Sequence, residues 1–95
     1  MDDFKQKLYH YLHTIPEKEV ISYGHLAKLA GQPNYARQVG RLLKQLPADT
    51  KLPWHRVVNA KMEVAFAEGS DKYLMQKQRL ENEGWTLKGR RLTSK

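Results

Sequence analysis

The stretch Ala30-Gly31-Gln32-Pro33-Asn34 constrains this chain most, because it marks a tight turn between two short helices. Before it, His25 to Ala30 reads as a helix stopped by Gly31, which serves as a left-handed C′ residue. After it, Tyr35, Val39, Leu42, Leu43 and Leu46 recur at helical spacing and predict a second helix, closed by Pro47. Two short helices around a glycine-containing turn make a helix-turn-helix candidate. Ala27 and Gly31 then act as the small helix residue and the turn glycine. Val39 and Leu42 fall at the buried positions of the second helix if the turn is longer than usual.

The remaining elements arrange themselves around this pair. Phe4, Leu8, Tyr11, Leu12 and Ile15 predict an N-terminal helix, with Asp2 and Asp3 at its positive end and Pro16 beyond its last turn. Val20 to Tyr23 is β-prone, and Ser22 is placed as an N-cap for the helix that follows. Arg56–Asn59 and Glu63–Phe66 predict a wing-like hairpin turning at Ala60-Lys61. Ser70 caps a helix running through Leu74 and Leu80 to Gly84, and Trp85 to Thr93 reads as an extended basic tail. The fold class expected is mainly α with a small β hairpin, a winged helix-turn-helix in a single domain over residues 1–95.

Charge adds direction. The formal net charge is +7 on 95 residues, which points to an anionic partner, most often nucleic acid. Residues 20–61 hold seven basic side chains and one acidic one, and 85–95 hold four basic and no acidic ones. Arg37, Arg41 and Lys44 all lie on the second helix of the pair. The chain has no cysteine, which excludes disulfides, thiolate metal sites and a thiol nucleophile. His10 and His13 share a helix face but have no further ligand nearby in sequence, so no metal and no cofactor is expected. Without an N-terminal apolar run or a long apolar stretch, the chain is expected to be a soluble, cytoplasmic, DNA-associated monomer with no membrane partner.

Three segments together are specific. They are Val20-Ile21-Ser22-Tyr23-Gly24, Tyr35-Ala36-Arg37-Gln38-Val39-Gly40, and Leu52-Pro53-Trp54-His55-Arg56-Val57-Val58, with Glu83-Gly84 as a fourth match. In order and spacing they resemble the DNA-binding, active-site domain of the O6-alkylguanine-DNA alkyltransferases over roughly residues 3–85. The family's reactive motif reads Pro-Cys-His-Arg, and the resemblance puts Trp54 where that cysteine stands. An indole cannot accept an alkyl group as a thiolate does. The sequence is therefore similar to the alkyltransferase-like proteins, small relatives that bind alkylated guanine without repairing it.

The resemblance implies roles for individual residues. Arg37 would enter the base stack in place of an extruded nucleotide, and Tyr23 would press on the flipped nucleotide's phosphate. Ala36 and Gly40 would let the helix approach the minor groove closely, with Arg41 and Lys44 on the same basic helix. Tyr23, Trp54, Val57, Phe66 and Ala67 would line the lesion pocket, with the Trp54 and Val57 carbonyls accepting from the guanine amine. His55, Arg56 and Glu83 would persist as a structural remnant of the relay that activates the family's thiol. The implied partners are double-stranded DNA containing O6-alkylguanine and nucleotide excision repair proteins. A winged-helix transcriptional regulator that binds undamaged DNA is the alternative, and a hydrolase or glycosylase using His55 with Glu83 is a third reading.

Overall fold

The computed structural model describes residues 2–47 and 49–93; Met1, Ala48, Ser94, Lys95 and the Asp2 side chain lie outside the described residues. In chain order the elements are α1 (Asp2–His13), β1 (Ile21–Ser22), α2 (Tyr23–Leu29), α3 (Ala36–Lys44), a 3-10 turn (Trp54–Arg56), β2 (Val57–Val58), α4 (Asp71–Asn82), β3 (Thr86–Lys88) and β4 (Arg91–Thr93). This is a mainly helical domain with a small antiparallel hairpin.

The helix-turn-helix forms as its punctuation predicts. Ser22 is extended and its side chain accepts from His25 N–H, capping α2. Gly31 takes φ +93°, and its N–H donates to Lys28 O (3.0 Å) while Gln32 N–H donates to Ala27 O (2.9 Å). That pair of bonds satisfies carbonyls that the end of α2 would leave bare. α2 and α3 then bury Leu26, Ala27, Ala30, Val39 and Leu43 in one core with Phe4, Leu8, Leu12 and Ile15 of the α1 segment. Leu43, four residues after Val39, is the buried partner, whereas Leu42 is only half-buried. The i, i+4 pair faces α1 and α2, and Leu42 is rotated away from that seam.

β1 and β2 run parallel, with Ile21 opposite Val57 and Ser22 opposite Val58. Their shared C-terminal end delivers Tyr23 and Asn59 to the same place. This pairing replaces the hairpin expected around Ala60-Lys61. Asn59 instead closes a tight turn, with its Oδ1 accepting from Lys61 N–H and Glu63 N–H, both at 2.9 Å. The hairpin lies in the segment expected as an extended tail, where β3 and β4 pair across the two-residue turn Gly89-Arg90. Gly89 has φ +59°, the positive value that the first position of such a turn requires. β4 continues onto the segment before α4 through a bridge between Arg91 and Glu63 and the bond from Val64 N–H to Arg90 O.

α4 starts at Ser70, whose hydroxyl accepts from Tyr73 N–H, and Gly84 follows it at φ +97°. Its buried face is Tyr73, Gln76 and Leu80, whereas Leu74 is half exposed. A second core of Val58, Val64, Tyr73, Leu80 and Leu92 sits between α4 and the hairpin, and Phe66 packs against both cores.

The turn gives a direct test. A side chain at Gly31 would meet only Lys7 Nζ, at 4.0 Å, so the cost of Gly31→Ala is conformational rather than steric. The expected loss is about 1–2 kcal/mol of unfolding free energy, read by urea denaturation; an unchanged midpoint would show that the turn does not need its left-handed residue.

Candidate nucleic-acid interface

A cleft of about 590 Å³ is walled on one side by α3 through Ala36, Arg37, Gly40, Arg41, Lys44 and Gln45, and on the other by Tyr23, Asn59 and Ala65. None of these wall residues is acidic. Arg37, Arg41 and Lys44 are exposed, so three cations border a concave surface that is apolar along Ala36 and Gly40. All six residues singled out for DNA contact therefore meet in one cleft. Gln45, Asn59 and Ala65 were not singled out, because the parallel pairing that brings Asn59 beside Tyr23 has no signature in either strand alone.

Tyr23 is half-buried, and its ring packs beside α3 at Gly40. Burial pushes its phenol pKa up to about 12, so the hydroxyl remains a hydrogen-bond donor at any physiological pH.

The expected lesion-pocket residues are distributed differently. Only Tyr23 among them lines this cleft. Val57 is fully buried, because its pairing with Ile21 directs it into the core. Trp54 is 3% exposed and meets Phe66 edge-to-face, with ring centroids 5.9 Å apart. Lys72 Nζ and the Arg79 guanidinium of α4 lie 5.1 and 5.5 Å from the Trp54 ring centroid. Phe66 in turn has Lys44 Nζ 5.8 Å from its ring centroid. Trp54 thus stands one aromatic ring behind the cleft wall rather than in it, and Ala67 is exposed. The two main-chain acceptors are also engaged: Trp54 O accepts from Val57 N–H, and Val57 O accepts from Gln76 Nε2 at 3.1 Å. Each carbonyl retains a second lone pair.

The loop carrying Trp54 is held from two sides. Gln76, 1% exposed, donates from Nε2 to His55 O (3.0 Å) as well as to Val57 O. Sequence periodicity contained that signal, since Gln76 falls on the same face as Tyr73 and Leu80. On the other side, Glu83 gathers four donors. Arg56 Nη2 and His55 Nε2 reach its Oε2 at 2.7 and 2.8 Å, Arg56 Nε bridges both oxygens, and Lys18 N–H donates to Oε1 at 3.0 Å. Arg56 Nη1 also donates to Ile15 O at 2.8 Å. His55, Arg56 and Glu83 thus form one cluster tying the end of α4 to the α1–β1 connection.

Electrostatics fixes the protons there. Burial pushes the Glu83 carboxyl up, but the hydrogen bonds from Arg56, His55 and Lys18 outweigh it and hold the pKa at about 2. An ionised carboxylate only accepts, so His55 carries its proton on Nε2. Burial, with the charges of Arg56 and Arg79, keeps His55 below its usual pKa against the pull of Glu83.

Among the described residues no group of three or more His, Asp or Glu side chains is placed to hold a metal ion, and no helix is long and apolar enough to cross a membrane.

The family model for the DNA-binding domain of 6-O-methylguanine DNA methyltransferase matches residues 3–85. A DNA base-flipping protein of Vibrio parahaemolyticus is 45% identical over 84 residues, covering 88% of this chain and 82% of that protein. Alkyltransferase-like protein 1 of Schizosaccharomyces pombe is 43% identical over 84 residues, covering 88% and 78%. The crystal structure of that S. pombe protein with damaged DNA containing O6-carboxymethylguanine superposes with a TM-score of 0.84 at 41% identity, over 93% of this chain and 82% of that one.

Glu83 predicts an acid response. A carboxylate whose pKa falls from 4.5 to about 2 on folding stabilises fully above pH 4.5, and that contribution is lost as pH drops toward 2. Urea unfolding across this range should show the loss in the native chain. Glu83→Gln should be less stable at neutral pH and should lack that part of the slope; parallel pH profiles would refute the assignment.

Proposed function

Because the chain belongs to the family of 6-O-methylguanine DNA methyltransferase DNA-binding domains, we propose that it binds O6-alkylguanine in duplex DNA by nucleotide flipping and leaves the alkyl group in place. The observation that carries this reading is an acid-free cleft in which α3 presents Arg37 between the small residues Ala36 and Gly40, with Tyr23 opposite.

The physical sequence of events follows from that geometry. The basic rim draws the duplex in by neutralising phosphates and releasing counterions. Ala36 and Gly40 let the α3 backbone approach the minor groove, where a bulkier face would stand off. Flipping a nucleotide costs stacking and pairing energy, less for a damaged base than for an intact pair. Arg37 offsets that cost by placing a planar guanidinium in the vacated stack and donating to the orphaned base. Tyr23, a protonated phenol, presses on the flipped nucleotide and donates to it. The flipped base lies against Tyr23, Asn59 and Ala65, backed by Phe66 and Trp54. Phe66, half-buried with Trp54 packed behind it, offers an apolar ring that tolerates alkyl groups of several sizes.

No thiol is available for alkyl transfer, since the chain contains no cysteine and Trp54 occupies the position that the family's reactive residue would hold. Binding without removal is useful only if another activity excises the damage. The reading therefore includes passing the lesion to nucleotide excision repair, and slow dissociation follows as a requirement.

The decisive measurement is affinity for matched duplexes with and without one O6-methylguanine, followed by analysis of the DNA. Preference for the lesion with the adduct unchanged is the expected result. Equal affinity would favour a regulator of undamaged DNA, and a vanished adduct would favour an enzyme.

Two variants resolve the role of α3. Arg37→Ala should weaken lesion binding by about tenfold or more, well beyond Lys44→Ala, which removes one phosphate contact; equal losses would count against intercalation. Gly40→Ala places a Cβ 3.9 Å from Tyr23 Cε1, an ordinary contact. It should raise unfolding free energy by about 0.5–1 kcal/mol, because glycine is a poor helix former. The same variant should lose duplex affinity; affinity preserved alongside the gain in stability would remove Gly40 from the interface.

A further inference from the structure

A second cleft, of about 420 Å³, shares no residue with the first. It opens between the end of α1, loop residues 50–53 and Arg79 of α4, with His55 and Arg56 inside. Its lining contains no Asp or Glu. Glu83 offsets one charge through Arg56 and His55, but Lys51 and Arg79 form no ion pair among the described residues. The cleft is thus cationic, and the cations flank the apolar side chains of Leu52 and Pro53.

A second observation points to an occupant. His55 is 8% exposed, and its Nδ1 is buried without a hydrogen-bond partner, while its Nε2 is committed to Glu83. Buried polar nitrogens in folded proteins are nearly always satisfied. This one is the unprotonated, accepting nitrogen of a ring that lines the cleft, so an N–H donor such as a peptide amide would satisfy it and a carboxylate or phosphate would not.

Phosphodiester backbone would satisfy the cations but offers nothing to Leu52 and Pro53. A peptide carrying carboxylates interspersed with apolar side chains matches both halves of the lining. We propose that this second cleft docks an acidic, apolar-containing segment of a partner protein. Resting on the lesion-reader function above, it would be the surface through which the DNA-bound chain is recognised.

The two clefts are also physically joined. Arg79 lies on the Trp54 ring, Trp54 meets Phe66, and Phe66 lies beneath Lys44 of the first cleft. The side chains backing the flipped base are therefore the ones that support the docking surface.

The test uses the full chain, labelled with 15N, and a fluorescent peptide of alternating Glu and Leu. Amide shifts should cluster at residues 50–56 and around Arg79, and the peptide should remain bound when an O6-methylguanine duplex saturates the protein. Lys51→Gln should weaken the peptide about threefold and leave duplex affinity unchanged, and adding Arg79→Gln should bring the loss to about tenfold. Thermal unfolding of both variants checks that the fold is intact. Shifts confined to residues 36–44, displacement of the peptide by the duplex, or no shifts at millimolar peptide would each overturn the proposal. So would the same shifts with oligothymidylate, since the cleft would then serve nucleic acid. Loss of lesion preference in the duplex assay would instead overturn the lesion-reader function, leaving the peptide result to stand by itself.

Discussion

One carboxylate organises the side of the molecule on which everything else depends. Glu83 accepts from two side chains of the Trp54–Arg56 turn and from the Lys18 main chain, and Arg56 extends the cluster to Ile15 O. Both charged side chains are 13% exposed, so neither can be released to water without leaving the other uncompensated. Breaking such a pair from one side costs about 3–5 kcal/mol, a large fraction of what a domain this small can hold in reserve. The turn is fixed on its other side by Gln76, which reaches the carbonyls of His55 and Val57 from the buried face of α4. Between these restraints the chain enters β2, pairs with β1, and so places Tyr23 and Asn59 side by side on the cleft wall that faces α3.

That dependence explains what was legible in the sequence. Local chemistry could be read directly: Ser22 and Ser70 cap the helices they precede, Gly31 and Gly84 follow helices with positive φ, and the apolar spacing of α1 and α3 marks their buried faces. The six residues expected at the DNA line one cleft because most of them belong to one helix. The residues expected to line a lesion pocket did not group, because they come from separate segments. Where a side chain points in β2 depends on which strand it pairs with, and two residues of β-prone sequence carry no register. Val57-Val58 found a parallel partner near residue 21, so the hairpin drawn around Ala60-Lys61 did not form. The hairpin that did form was encoded in Lys88-Gly89-Arg90-Arg91, whose basic character masked its turn glycine.

Trp54 shows how packing decides between two uses of one residue. In the sequence, a large indole beside residues expected at DNA reads as a surface for stacking on a base. In the structure it is enclosed by Phe66 and by the cationic side chains of Lys72 and Arg79, at distances suited to attraction by the ring face. Cations over an aromatic ring keep their outer sides in water, so α4 covers the indole without burying a charge. The indole is thereby a rigid backing for Phe66, and Phe66 is the ring nearest to Lys44 on the cleft wall.

The same cluster that anchors the turn is unsuited to moving protons. A relay that activates a thiol needs a base able to gain and lose a proton near neutral pH. Here Arg56 clasps Glu83 and the carboxyl remains ionised down to a pKa of about 2. His55 is held in the opposite sense, neutral, with Nε2 committed as a donor to that carboxylate. Protonating either group would break a hydrogen bond or place a second positive charge beside Arg56. The pair therefore has one stable protonation state across the physiological range. In a chain without a cysteine that is a structural advantage, because a strut that does not titrate keeps the Trp54 turn, and the cleft it supports, in one geometry across that range.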